Sequence, residues 1–408
     1  MKCRHCGAAL QPFIDLGSAP PSNAYLTVEK LDWPEKWFPL RVGVCSTCWL
    51  VQTEDFADAA DLFDSDYAYF SSTSKSWLAH AEQYVETMAD RFGLNSQSHV
   101  VEVASNDGYL LRFVKEKGIP CLGVEPTKST AEAARAIGLD VDEGFFGREF
   151  AAGLVARGKS ADLTAANNVL AHVPDINDFV SGFSVLLKPD GVSTFEFPHL
   201  MRLVAERQFD TVYHEHFSYL SLTAVCRIFE TNGLSVFDVE EHSTHGGSLR
   251  VFAQRADTGG RPVSPRVEEM LAREAAAGMT SLAYYEGFQT SVNAVKDGFL
   301  GFLLRARLEG KSVVAYGAAA KGNTLMNYAG IRPDMIRFVV DRAPSKQGKF
   351  MPGSRIPIVE EQSLKDTRPD YVVILPWNLR EEVMTQLDYI REWGGRFVTA
   401  VPELEITT

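Results

Sequence analysis

The sequence predicts an α/β protein: two doubly wound parallel sheets in tandem behind an N-terminal segment organised by four cysteines. Three observations carry that expectation: two Cys-x-x-Cys pairs near the start, a strand–turn–helix alternation from residue 99, and a second alternation from residue 311. A chain of 408 residues, 45 % hydrophobic and 23 % charged, can bury two or three cores. With 40 Lys+Arg against 53 Asp+Glu the net charge is −13, and no basic run interrupts it. A surface that neutralises nucleic-acid phosphates is therefore not expected. The start, MKCRHC, has no apolar h-region, and no window approaches the roughly 18 uncharged apolar residues of a membrane helix, so a cytoplasmic protein is expected.

Taken in order, Cys3-x-x-Cys6 and Cys45-x-x-Cys48 supply four thiolates, the closed tetrahedral set that zinc binds at roughly 2.3 Å. With every position filled by sulfur, such a zinc is structural. The long insert between the pairs is punctuated by Pro20, Pro21, Trp33, Pro34 and Pro39, and Cys121 and Cys226 read as lone buried thiols. "SWLAHAEQYVETMADRFGL" has helical spacing and stops at Gly93. "HVVEV", "ASNDG" and "YLLRFVKEKG" then give strand, turn and helix, and "CLGVEP" with "STAEAARAIG" repeats the unit. A later strand in "ADLTAANNVLAHVPD" leads to the helix "INDFVSGFSVLL" and the strand "KPDGVSTFEFP"; residues 234–254 read as two antiparallel strands closing the sheet. Residues 256–266 form a linker, followed by a helical stretch over 267–309. "KSVVAYGAAAKGNTLMNYAG" opens the second series, continued by "IRFVVD", which ends at Asp341, and by "DYVVILPW" and "RFVTAVP". The expected domains are 1–66, 67–255 and 256–408, and each doubly wound half offers a nucleotide-sized crevice.

In the first crevice, Glu102 ends a strand and Ser105, Asn106, Asp107 and Gly108 form a tight turn that lets a ligand approach the backbone. Glu125 ends the next strand, where a carboxylate can accept ribose hydroxyl protons. This suits an adenosine cofactor, although the dinucleotide pattern G-x-G-x-x-G is absent. Asn167 ends a later strand, and "LLKPDGVSTFEFP" resembles a turn of the class I S-adenosylmethionine methyltransferases. A non-catalytic α/β scaffold is the bland alternative. The second crevice is weaker: "YGAAAKGN" is no phosphate loop of the Walker type, yet a lysine at a helix N-terminus suits an anion.

"TVYHEHFSYLSL" sets Tyr213, His214, Glu215 and His216 side by side. On a regular strand the two histidines would share one face and could grip a metal with His242 or His245. A polar strand edge and an acid–base centre are the other readings. The whole order of motifs then matters: the cysteine knuckles, "PPSNAYL", "YAYFSSTS", "EVASNDGYLL", "YHEHFSYLS", "HGGSLRVF" and "YGAAAKGNTLMNY" together resemble, from end to end, the nucleotide-sugar C-methyltransferases.

That resemblance implies methyl transfer from S-adenosylmethionine to a ring carbon beside the ketone of an NDP-linked keto-deoxysugar. It implies a class I methyltransferase sheet, a structural zinc segment, and a C-terminal Rossmann-like domain that helps hold the sugar nucleotide. The family's Tyr-x-Glu-His pattern falls on Tyr213, Glu215 and His216 and leaves His214 a spectator. On this reading His216 removes the α-proton, Glu215 orients its imidazole, and Tyr213, Tyr67 and His172 are candidates to hold the enolate oxygen. His245, Arg250, Gly317, Lys321 and Gly322 are candidate substrate contacts, with Asp341 a further one. A monomer is expected, and an O- or N-methyltransferase of another small molecule is the alternative.

Overall fold

The computed structural model describes residues 1–54, 56 and 70–407. At the N-terminus, β1 (Leu10–Ala19), β2 (Phe38–Cys45) and β3 (Val51–Thr53) form an antiparallel meander. A two-residue strand from much later in the chain, β9 (Ser218–Tyr219), pairs with β3 and completes this sheet. The cysteine segment is therefore tied directly to the loop that carries "YHEH".

The second sheet has the order β10-β11-β8-β7-β4-β5-β6, with β4 (Val100–Val103), β5 (Cys121–Glu125), β6 (Val141–Glu143), β7 (Ala161–Asn167), β8 (Leu187–Pro198), β10 (Leu234–His242) and β11 (Ser248–Arg255). Strands β4 to β8 run parallel, and β11 and β10 close the edge antiparallel, as the pattern over 234–254 predicts. All four residues of β4 are buried, because helices cover both faces. One of them, Lys75–Phe92, is capped by the Ser74 hydroxyl and ended by Gly93; it buries Ala81, Tyr84, Val85 and Met88. The strand order reverses between β4 and β7, so a crevice opens at their carboxyl ends.

The third sheet, β14-β13-β12-β15-β16-β17, contains β12 (Val313–Tyr316), β13 (Val339–Val340), β14 (Ile358–Val359), β15 (Tyr371–Ile374), β16 (Arg396–Thr399) and the antiparallel β17 (Glu405–Thr407). The single helical stretch expected over 267–309 is two helices, Pro265–Ala277 and Phe288–Leu308, because Gly278 and Gly287 both adopt left-handed backbone. The first packs Val267 and Met270 into the core of the second sheet. The second lays Phe288, Val292, Phe299 and Phe302 into a core shared by the N-terminal and third sheets. Burying each such side chain is worth about 1.5–3 kcal/mol. The N-terminal sheet thus wedges between the two larger ones, and residues 22–26 reach the cleft between them.

Candidate active site and its zinc centre

The four cysteines converge as their spacing predicts. The Sγ atoms of Cys3, Cys6, Cys45 and Cys48 all lie within 4.8 Å of one another. Cys3–Cys48 and Cys6–Cys45 are 3.5 Å apart, and Cys6–Cys48 3.7 Å. A tetrahedron with roughly 2.3 Å metal–sulfur bonds has edges of about 3.8 Å, so the set fits zinc. Backbone N–H groups of Thr47 and Cys48 point at the Cys45 sulfur, at 3.4 and 3.5 Å, as expected for a thiolate. All four positions of this set are sulfur, which fits a structural zinc. Among the described residues it is the one cluster of three or more metal-ligating side chains, so the His-x-His grip is not formed.

At the crevice of the second sheet, Ala104, Asn106 and Gly108 all take positive φ. A Cβ on Gly108 would come within 2.2 Å of Leu139, so the turn needs glycine for space as well as for conformation. Glu125 accepts the backbone N–H groups of Asn106 and Thr127, both at 2.9 Å, which joins the two strand ends. Asn106 and Asp107 hold the preceding "FSSTS" segment: Asn106 Oδ1 accepts Ser71 N–H at 2.9 Å, and Asp107 accepts from the Ser72 N–H and hydroxyl. By contrast both oxygens of Glu102, Ser105 Oγ and Asn167 Oδ1 are buried without a well-formed hydrogen bond among the described residues. Burial pushes the Glu102 carboxyl well above its usual range, opposed by the neighbouring Tyr109 phenol. Orphaned acceptors and a hydroxyl at a strand-end turn are what a cationic cofactor with ribose and amino donors would satisfy. S-adenosylmethionine fits them.

Around "YHEH" the structure corrects the strand expectation. Residues 213–216 form a turn, closed by His216 N–H donating to the Tyr213 carbonyl at 2.9 Å. A turn at that spacing brings positions three apart together, so Tyr213 and His216 share the accessible side while His214 and Glu215 are buried. His216 Nδ1 lies 3.0 Å from the Thr211 carbonyl, which can only accept; Nδ1 therefore carries the proton, and the Nε2 lone pair receives the Tyr213 hydroxyl at 2.8 Å. Burial, with His172 beside it, holds His216 well below the usual imidazole range, hence neutral. The His172 ring stands 4.6 Å from that of His216 and donates Nδ1–H to the Glu215 carbonyl at 2.8 Å. Its pKa is pushed down to about 4 by burial.

Glu215 is not the group that orients His216. Its Oε1 accepts both the backbone and side-chain N–H of Asn23, each at 3.2 Å, and burial raises its pKa. The orienting acceptor is the Thr211 carbonyl, a backbone role that no side-chain pattern announces. Asn23 lies in "PPSNAYL", whose side-chain partner sequence spacing could not reveal. His214 donates Nε2–H to the Phe38 and Pro39 carbonyls, both at 3.3 Å, which binds the loop to β2.

The predicted substrate contacts divide. Arg250 is 3 % exposed and committed to Glu196 at 2.7 Å, with His80 within 3.1 Å, so its guanidinium is not available to a diphosphate; Glu196 is pulled down to about 2, burial outweighed by His80 and Arg250. The glycines of "HGGSLRVF" make room for protein, not ligand: a Cβ on Gly246 would meet Trp377 at 2.6 Å and one on Gly247 would meet Arg202 at 2.8 Å. His245 sits on the cleft with its ring 5.0 Å from Trp77, held at about 4 by burial and by Lys321. Gly317 and Gly322 pack against Pro376 and Leu375, at 2.5 and 2.8 Å for a Cβ, and Asp341 is used up by the backbone N–H groups of Ala318 and Ala343, both at 2.8 Å. Lys321 projects from the start of the helix Ala320–Tyr328, bonds Asn378 at 2.7 Å, and lies 4.5 Å over the Trp377 ring. Tyr67 lies outside the described residues.

A doubly wound sheet with an orphan-lined adenosine crevice, beside a zinc-ready knuckle and a neutral histidine, defines an S-adenosylmethionine-dependent methyltransferase. Three family models divide the chain: "Putative zinc binding domain" over residues 3–63, "Methyltransferase domain" over 77–239, and "C-methyltransferase C-terminal domain" over 243–402. The C-methyltransferase NovU of Streptomyces niveus is 36 % identical over 403 residues, 98 % of this chain and 96 % of NovU. The chain belongs to this C-methyltransferase family. Solved structures with partial likeness include magnesium protoporphyrin IX methyltransferase of Synechocystis PCC 6803, with bound SAH, at 16 % identity, 44 % of this chain, 83 % of that one and TM-score 0.35. An S-adenosylmethionine-dependent methyltransferase from Mesorhizobium loti, at 16 % identity, covers 43 % of this chain and 98 % of its own with TM-score 0.34. Among the described residues no helix is long and apolar enough to cross a membrane.

Proposed function

We propose that the enzyme methylates a ring carbon beside the ketone of an NDP-linked keto-deoxyhexose by way of an enolate, with His216 as the base. The observation that carries this reading is the tautomer of His216: with Nδ1–H committed to Thr211, a neutral imidazole presents Nε2 on the accessible side. A hydrogen next to a ketone is acidic enough to yield to such a base, an effect of about 10²–10⁴-fold. The Tyr213 phenol has one proton and two acceptors for it. In the resting enzyme it caps Nε2. Turned toward the ketone oxygen, it frees Nε2 to take the α-proton and holds the charge that develops, worth roughly 3–4 kcal/mol for one donor. His172, with Nδ1–H on a carbonyl, offers Nε2 as an acceptor, which suits a sugar hydroxyl better than an oxyanion.

Glu102, Ser105, Glu125 and Asn167 are the groups to hold S-adenosylmethionine, with Asn106, Asp107 and Gly108 shaping the turn. When bound, it supplies an electrophilic methyl group. Lys321 and His245 face the same cleft and are proposed to meet the sugar or its diphosphate; Tyr67 stays a candidate second donor on the family resemblance alone. The division into modules 1–66, 67–255 and 256–408 is proposed on the same grounds. The test uses cofactor with a ¹³C-labelled methyl and a panel of dTDP-, GDP- and CDP-linked keto-6-deoxyhexoses, with the label located in the product by NMR. A carbon-bound methyl next to the carbonyl is expected. Label on oxygen or nitrogen would replace this reading with an O- or N-methyltransferase.

A further inference from the structure

The group that fixes the proton of His216 is held from the far side by the C-terminal domain. Thr211 ends a short 3-10 turn, Phe209–Thr211. Two hydrogen bonds from the third-sheet domain grip the residues on either side of Thr211: Trp377 Nε1–H donates to Asp210 Oδ2 at 2.8 Å, and Thr324 Oγ1–H donates to the Val212 carbonyl at 2.8 Å. Asp210 is fully buried, and its countercharge is Lys321, which rests on the face of the same indole 4.5 Å away. One tryptophan therefore offers its edge to the carboxylate and its face to the ammonium. It also fills the space left by Gly246, which brings the "HGG" segment into the same clamp. A buried aspartate thus stands one residue before the carbonyl that sets the imidazole tautomer.

We propose that Trp377 is a positioning residue for proton abstraction: through Asp210 it fixes the Thr211 carbonyl, and thereby the orientation of His216. The proposal rests on His216 being the base. Trp377→Phe keeps an aromatic ring and deletes the N–H, so kcat and the rate of deuterium wash-in to the ketosugar are expected to fall together by about tenfold or more, since small misplacements of a base cost rate steeply. KM for the sugar nucleotide should stay within about threefold, a split that general loss of stability would not give. Asp210→Asn still offers an oxygen to the indole and should be milder; after Trp377→Phe it should add nothing further. Thr324→Val tests the second tie independently of Trp377 and should show the same split, more weakly.

His216→Asn is measured alongside. Wash-in that survives in His216→Asn defeats the base assignment itself. Wash-in lost in His216→Asn but unchanged in Trp377→Phe and Thr324→Val overturns the positioning role alone. A rise in KM with unchanged kcat also overturns it, because it would make the indole a substrate contact.

Discussion

The molecule contains two doubly wound crevices, and they differ in what fills their strand-end turns. In the second sheet, at the ends of β4 and β7, buried polar atoms of Glu102, Asn167 and Ser105 stand without a well-formed hydrogen bond among the described residues, with only the Tyr109 phenol beside the Glu102 carboxyl. At the strand-end turn of the third sheet the chain meets most of its own polar groups, although Asn323 Oδ1 and Asn327 Oδ1 on the helix that follows are also buried without a well-formed hydrogen bond among the described residues. Asp341 takes two backbone N–H groups, and the Ala318 carbonyl receives both Tyr25 O–H, at 2.6 Å, and Lys346 Nζ, at 2.7 Å. The first crevice is built for a ligand; the second is closed by the insert of the zinc segment. What the C-terminal domain presents toward the cleft is the start of its helix and Trp377, not a glycine loop. Similar topology does not fix similar use, because use depends on which polar atoms remain unsatisfied.

Exchanging one residue in each crevice would sharpen this contrast. Glu102→Gln is expected to weaken S-adenosylhomocysteine binding by about 10–100-fold, the worth of a charged hydrogen-bond partner, while leaving the melting temperature of the ligand-free protein unchanged or higher. Calorimetry and thermal unfolding read the two effects. Asp341→Asn should do the reverse: an amide oxygen serves the two N–H groups poorly, so stability should fall by about 1–3 kcal/mol with S-adenosylhomocysteine affinity within about twofold. Equal affinity losses in both variants would erase the distinction. The smallest effect concerns Asp210, pushed up to about 6, burial outweighing Lys321. An unfolded aspartate titrates near 3.9, so this group favours the fold below about pH 4 and that contribution is lost as pH rises through 6. The melting temperature of Asp210→Asn, relative to wild type, should therefore climb between pH 4 and 6, by no more than about 3 °C, and level off above.

What the sequence conveyed well was whatever depends on short-range spacing. Two Cys-x-x-Cys pairs fixed a thiolate set; alternating strands and helices fixed both parallel sheets; Gly108 marked a turn that tolerates no Cβ. The misreadings involve partners distant in sequence. Arg250 looks free until β11 lies beside β8 and delivers Glu196 to it. Glu215 looks like a support for its neighbour until Asn23 arrives from the zinc insert. "YHEH" alternates like a strand, but the β3–β9 pairing and the grip on residues 210 and 212 turn it back on itself. Asp210 and Trp377 carry no local pattern at all, and only the packing of two domains joins them.

The central claim is that the two histidines of "YHEH" are unequal, and deuterium wash-in tests it most directly. In deuterium oxide, with S-adenosylhomocysteine in place of the methyl donor, the wild-type enzyme should exchange the hydrogen beside the ketone of its sugar nucleotide. His216→Asn should slow that exchange by at least about 100-fold. His214→Asn should exchange at close to the wild-type rate and lose mainly stability, since its ring serves the Phe38 and Pro39 carbonyls and packs against the Phe38 ring. Undiminished exchange in His216→Asn, or an equal loss in both variants, would contradict the account.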